Sequence, residues 1–591
     1  MTRPNPCLRR LLIAGAFLLL MSVRNIAAQV SKPADAILLD AKIYTVDKKF
    51  PWAEALAIRE SRIVAVGSAV EVNALRGPKT KVIDAQGRLV LPGFTDSHIH
   101  FLDGSLSLTG VQLEDAKNLD EVLARVKSYA AEHPDVPWIL GRGWPYTLFT
   151  DGLPNKSMLD KVLADRPVYL ESFDGHTWWA NSKALQLAGV TASSPNPAGG
   201  EFVRGNGGEP TGAVKEDAAD AVMRRAIPQP RRELVLTALR QGMHEANRVG
   251  LVAGISPGGV SAVGGDFAVL DVYDELRKRG ELTLRFYIAS RMEPPAFSAE
   301  TLGKIEQARR RYHDEWISAG AAKVFLDGVI ESHTAAMLDP YADDPQVSGS
   351  LWWDPQKYKA AVLQLDKQGI QIYTHAIGDK AVRLALDAYE DAAKKNHTHD
   401  ARPRIEHIET VSAPDIVRFG SLGVIASFQP LHAYPDDDLT KFWIPHVGPE
   451  RSQRGWVWRS IEKSGGTLAF GSDWPIVTLN PWPGVQNALT RQTIEGDPPG
   501  GWLPHERISL EDAIRAYTLN AAFAAKREKT TGSLERGKLA DLIILSQDLF
   551  MIEPTEIGKT QVLLTMVGGK VVYESPLWQA QAHQANAPEA K

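Results

Sequence analysis

The sequence predicts an α/β fold: a (β/α)8 TIM-like barrel with a small β-sandwich domain formed by both chain ends. Three observations carry this reading. Strand-like runs alternate with helical stretches through the middle of the chain. Short β-rich segments recur at both ends. Side chains with metal-ligating or acid–base chemistry (His98, His100, Lys323, His375, His407 and Asp473) each follow or end a short apolar run. A barrel of this kind gathers its functional side chains there, at the C-terminal ends of its strands.

In chain order, Arg3, Arg9 and Arg10 precede the apolar run Leu11 to Met21, and Ile26-Ala27-Ala28 precede Gln29. A positive stretch, a short apolar core and small residues make residues 1–28 a signal peptide, the run being short for a bilayer span. An uncleaved membrane anchor is the other reading. Cleavage removes Arg3, Arg9, Arg10 and Arg24 and no acid, taking the formal charge from −5 to −9. Cys7, the single cysteine, leaves with this segment. The mature chain then has neither thiol nor disulfide, which fits a periplasmic or secreted protein large enough to be held by its core. It also excludes a cysteine-based zinc site.

Residues 29–90 hold the runs Ala36-Ile-Leu-Leu39, Lys42-Ile-Tyr-Thr45, Ala55-Leu-Ala-Ile58 and Arg62-Ile-Val-Ala-Val66, with a turn at Asp84-Ala-Gln-Gly87. The pattern returns within residues 526–576, at Ala540 to Leu545, Gln561 to Val567 and Lys570 to Tyr573. One β-domain assembled from both ends is the expectation. The Ala/Gln-rich tail, residues 577–591, reads as unstructured.

Between them, residues 91–525 supply ten strand candidates: Arg88–Asp96, Trp138–Arg142, Val168–Phe173, Leu251–Ser256, Leu284–Ser290, Lys323–Asp327, Ile370–His375, Arg404–His407, Val424–Gln429 and Thr467–Asp473. A (β/α)8 barrel takes eight. Assigning the second and third to an insertion or lid, residues 101–245, leaves eight. The chemical residues then fall after strands one, four, five, six and eight.

With 44% hydrophobic and 23% charged residues and no basic run, the chain is an ordinary globular protein. Nothing argues for nucleic acid or an anionic membrane as partner. The partner expected is a small-molecule substrate, with no membrane contact after signal cleavage. Oligomeric state is open, a homodimer being the common arrangement.

His98 and His100, two residues apart on a strand, would point to one face and could grip one metal ion. Each element has a bland alternative. Lys323 could be a surface lysine at a strand start, His375 and His407 core histidines, and Asp473 a helix cap. Their order and shared position make those alternatives improbable together. Without cysteine, the ligands of any ion must be imidazole, carboxylate or a modified lysine. Zinc is the default for nitrogen and oxygen donors, with one or two divalent ions per chain expected.

The set of His-x-His after strand one, Lys after strand four, His after strands five and six, and Asp after strand eight resembles the amidohydrolase superfamily. The strings Leu91-Pro-Gly-Phe-Thr-Asp-Ser-His-Ile-His100, Tyr373-Thr-His-Ala-Ile-Gly-Asp379 and Gly471-Ser-Asp-Trp-Pro475 resemble its YtcJ-like branch, which includes N-substituted formamide deformylases. The resemblance runs from about residue 35 to 575. It implies a metal-dependent hydrolase in which Lys323, carboxylated, bridges two metals. His98, His100 and Asp473 would hold one ion, and His375 and His407 the second. Asp473 would accept a proton from the attacking water and pass it to the leaving nitrogen. His176, in Asp174-Gly-His176 before Trp178 and Trp179, Glu216, downstream of Glu209-Pro-Thr-Gly212, and His432, in Gln429-Pro-Leu-His432, are the substrate-binding candidates. Glu331 and His333 stand where the family carries a Gly-Ser-Arg pattern. Trp352-Trp353 and Trp456-Val-Trp458 read as aromatic packing or pocket lining, core being the safer reading.

The leading expectation is hydrolysis of a non-peptide carbon–nitrogen bond in an amide, formamide or cyclic amide. An ester or lactone hydrolase, or a deaminase, would use the same site. A periplasmic protein that binds metal or solute without turnover is the alternative from another class, and it would need no proton shuttle.

Overall fold

The computed structural model describes residues 32–149, 153–173, 175, 177–197, 200–258, 265–292 and 297–585. The signal-peptide segment, Asp174 and His176 lie outside the described residues.

Eight parallel strands form the central sheet: Phe94–Asp96, Leu251–Ser256, Arg285–Arg291, Ile317–Phe325, Ile372–Ala376, Arg404–His407, Ile425–Phe428 and Thr467–Phe470. The first and last are joined by Ser97 N–H donating to the Phe470 carbonyl (2.9 Å) and Asp473 N–H donating to the His98 carbonyl (2.7 Å). Gly471 permits this closure: a Cβ there would lie 2.4 Å from the His98 nitrogen. Ala253, Ile255, Tyr287, Ala289, Tyr373, Ile425 and Ala469 fill part of the interior, with Ala524 and Ala525 packed against them. All eight strands lie where expected, although the first begins at Phe94 and not Arg88, because Arg88 to Pro92 belong to the strand Lys81–Pro92 of the other sheet. The fourth is corrected at its start: it begins at Ile317, not Lys323, so Lys323 is a fully buried interior residue. The preceding Ser-Ala-Gly-Ala-Ala stretch carries little side chain, which is why it does not read as a strand.

The ends of the chain form one mixed eight-stranded sheet. Lys81–Pro92 pairs in parallel with Ala36–Tyr44 and antiparallel with Leu542–Leu545, both neighbours meeting it at Val90. Period-two alternation splits the first strand between two cores. Ala36 and Leu38 join Leu542, Leu564 and Met566, whereas Ile37 packs with Val72. The tail differs from expectation. Pro576–Ala585 is a helix, and Trp578, 7% exposed, packs into the core shared by the two arms. Proline in the first turn and good helix formers behind it account for the helix.

The insertion carries a six-stranded sheet running from Val111–Gln112 to Pro210–Lys215, including both strands assigned to it. It ends earlier than expected. Helix Arg232–Arg248 buries Val235, Leu236, Leu239 and Met243 in the same core as the barrel. Arg142 of the insertion donates to the carbonyls of Pro475 and Phe173, tying this sheet to the loop after the eighth strand. Among the described residues no helix is long and apolar enough to cross a membrane.

Candidate metal centre

The first strand ends at Asp96, and His98 and His100 lie in the loop beyond it. Asp96 shapes that loop: its carboxylate accepts from the backbone of His98 (3.0 Å) and of Ser472 (3.0 and 3.1 Å), joining the loops after strands one and eight. Burial pushes the Asp96 carboxyl up to about 7.

Asp473 is the hub. Its Oδ1 lies 3.4 Å from His98 Nε2 and 3.2 Å from His100 Nε2. Its Oδ2 lies 3.8 Å from His407 Nδ1 and 3.7 Å from His432 Nε2. Two triads therefore share one carboxylate, His98/His100/Asp473 and His407/His432/Asp473, each with ligand atoms within 4.8 Å of one another. His432, expected to touch substrate, stands here among the prospective ligands. His375, expected to pair with His407 on a second ion, is in neither triad. Its ring lies 4.6 Å from that of His407, but its Nε2 donates to the Gly328 carbonyl at 3.3 Å.

Buried charge sets the orientation of His98. Its Nδ1 donates to Glu406 Oε2 at 2.7 Å, and this hydrogen bond assigns the tautomer. Arg404 holds Glu406 through Nε (2.9 Å) and Nη2 (3.0 Å), and all three side chains are fully buried. Burial works against ionisation of Glu406, but Arg404 and His98 outweigh it and hold the carboxyl well below the usual range. A carboxylate behind an imidazole is the usual support of a histidine metal ligand. On the other ring, His407 Nδ1 donates to Gln429 Oε1 at 2.8 Å, which leaves Nε2 as the nitrogen with a lone pair. Sequence reasoning missed Glu406 and Gln429 as supports. The signal available was the acid two residues after Arg404 on a strand whose alternate positions face the interior.

Burial pushes His98 down to about 4 and His375 to about 3, and keeps His407 low as well. The imidazoles are neutral and have lone pairs to offer. Burial opposes the charge on Asp473, but the surrounding imidazoles, His98 first, outweigh it and hold the carboxyl well below its ordinary value. Burial lowers Lys323 to about 8 against the opposing pull of Glu406 and Asp473. Its Nζ lies 3.4 Å from His98 Nε2.

The donors fit a cation. Asp473 Oδ1 and His432 Nε2 are buried and make no hydrogen bond. The His98 Nε2 lone pair faces Asp473 Oδ1, two acceptors 3.4 Å apart. Acceptors so placed need a cation or a proton between them. Glu216 opens helix Glu216–Arg224 with a positive φ of 64° and belongs to neither triad.

Comparison with known proteins agrees with this chemistry. A family model described as "Amidohydrolase family" matches residues 81–573. The chain belongs to that family. Protein LONG AFTER FAR-RED 3 of Arabidopsis thaliana is 33% identical over 95% of this chain and 97% of its own. The N-substituted formamide deformylase of Arthrobacter pascens is 27% identical over 91% of this chain and 98% of its own, in line with the branch that the motifs resemble. A solved structure described as an uncharacterized metal-dependent hydrolase of Pyrococcus horikoshii superposes with a TM-score of 0.71. It is 25% identical, covering 88% of this chain and 99% of that one. This amidohydrolase is accordingly a hydrolase that works with a divalent metal.

Proposed function

We infer that this amidohydrolase cleaves a non-peptide carbon–nitrogen bond in a small amide, formamide or cyclic amide, with Asp473 as the proton-transfer residue. The observation that carries the reading is the Asp473 carboxylate, buried, ionised and shared between two imidazole pairs. A protein that only stored a metal would need no group to carry a proton from water to a leaving nitrogen. The similarity to a formamide deformylase over nearly the whole of both chains supports the bond type.

His98, His100 and Asp473 would hold one ion, and His407, His432 and Asp473 a second. Zinc suits such nitrogen and oxygen donors. The ion supplies Lewis acidity toward water and toward the scissile carbonyl. The chain does the rest. Glu406 keeps the His98 Nε2 lone pair turned inward, and Gln429 holds the ring of His407. Asp473 takes a proton at a carboxylate oxygen and returns it to the leaving nitrogen, which departs as a neutral amine. Lys323, with a burial-lowered pKa, offers the unprotonated amine that carboxylation requires, and the carbamate would be an anionic oxygen ligand. We place the mature chain in the periplasm or outside the cell, a reading supported by the N-terminal positive and apolar segment and the absence of cysteine after it.

The test is Asp473→Asn beside wild type on a matched panel of N-substituted formamides, amides, lactams, esters and lactones, with released amine and acid both quantified. The expected result is amine release by wild type and a kcat lower by about 100-fold or more in the variant, with a smaller change in KM. Turnover of esters alone would refute the bond assignment. Undiminished ligand binding with no turnover of anything in either protein would leave a binding protein.

A further inference from the structure

Away from the shared carboxylate, two loops of the barrel's C-terminal face are joined by an imidazole–carboxylate–imidazole bridge. One follows the fourth strand and carries His333 and Asp343. The other follows the seventh and carries His446 in helix Ile444–Val447. His333 Nε2 lies 3.0 and 3.1 Å from the two Asp343 oxygens, and His446 Nδ1 lies 2.6 Å from Asp343 Oδ2. The two rings are 4.2 Å apart.

This meeting is built by the backbone. Ala342 N–H donates to the His446 carbonyl at 2.8 Å. Arg451 donates to the carbonyls of Asp339 (2.8 Å) and Pro340 (2.7 Å). Gly448, at φ 82°, lets the loops touch, since a Cβ there would lie 2.7 Å from that of Ala342. The Tyr341 ring backs His333 at 4.5 Å, and its hydroxyl is anchored on the Ala335 carbonyl. The three side chains are 26%, 36% and 14% exposed, so solutes reach a cluster whose geometry is already set. Residual burial raises the Asp343 carboxyl, but hydrogen bonds from His333 and His446 outweigh it and keep the group below its ordinary value.

We propose that His333, Asp343 and His446 form a peripheral site for a divalent transition-metal ion, which clips the fourth- and seventh-strand loops together. Their ligand atoms lie within 4.8 Å of one another. Two imidazole nitrogens and a carboxylate oxygen suit zinc, nickel or copper, and not calcium or magnesium, which take oxygen ligands. Each imidazole passes the proton it donates to Asp343 to its other ring nitrogen or to solvent and bonds the ion through the freed lone pair, and water completes the shell. The site shares no residue with the two triads around Asp473.

The experiment uses the full mature chain with its active-site metal in place, titrated with zinc chloride. Metal per chain is counted by mass spectrometry after desalting, and hydrogen exchange is followed over residues 328–350 and 435–456. Wild type should take up one zinc more than His333→Ala, Asp343→Asn or His446→Gln, and zinc should slow exchange in both loops of wild type only. The three variants disturb the loops differently, so loss of the same equivalent in each folded variant identifies the site. Equal zinc in wild type and variants would overturn it and leave a hydrogen-bonded clasp. Uptake of the extra zinc without slower exchange would overturn the clip.

Discussion

Replacing Glu406 by glutamine should lower stability by about 3–5 kcal/mol and metal affinity by about 10–100-fold. Its two oxygens accept from three donors, Arg404 Nε at 2.9 Å, Arg404 Nη2 at 3.0 Å and His98 Nδ1 at 2.7 Å. Glutamine keeps one acceptor oxygen, so its amide nitrogen must meet a donor. In either orientation the neutral side chain leaves the Arg404 guanidinium buried without a counter-charge. Turned toward His98, it releases the tautomer that aims Nε2 at Asp473. The first outcome is read by chemical denaturation of the metal-free protein, the second by competition with a chelator. The double substitution Arg404→Met with Glu406→Leu separates them. Removing both charges together should recover most of the stability while His98 stays unsupported and metal binding stays weak. A Glu406→Gln protein within about 1 kcal/mol of wild type, with unchanged metal affinity, would refute the idea that this buried ion pair orients the ligand.

Two further outcomes follow from particular side chains. Lys323 titrates at about 8 when folded and near 10.4 when unfolded, so the unfolded chain binds the extra proton between those values. Lys323 should therefore add stability to the metal-free protein as pH rises through that window, by about 3 kcal/mol in total, and Lys323→Met should remove that contribution from the slope in urea titrations at stepped pH. Trp578→Ala should cost about 3–5 kcal/mol and lower the thermal midpoint without changing kcat, whereas a dispensable tail would give no shift.

Much of the barrel was legible because buried parallel strands read as apolar runs, and chemical side chains at their ends mark the active face. What was not legible has physical causes. Arg404-Ile-Glu-His407 has alternating charge, and only the closed barrel shows that the charged face is the inner one. The small residues before Lys323 hid half of the fourth strand. Helix Arg232–Arg248 has the amphipathic pattern of any surface helix, and only its packing assigns it to the barrel. His432 follows a strand as a substrate contact would, and its approach to Asp473 depends on the short turn Pro430–Ala433. The tail looked polar because a single tryptophan carries its attachment.

The strand Lys81–Pro92 has a consequence for how the molecule comes into being. It runs directly into the first barrel strand, yet one of its flanks is completed by Leu542–Leu545, and that segment by Val562–Val567. A chain synthesised from its N-terminus exposes an unpaired edge at Val90 and Leu91 until residue 545 has been made. Contacts so distant in sequence form slowly and leave the nascent chain dependent on being kept from self-association. Once formed, the same arrangement makes the finished protein hard to unravel. A break in a surface loop of the barrel frees neither end, because the two ends hold each other.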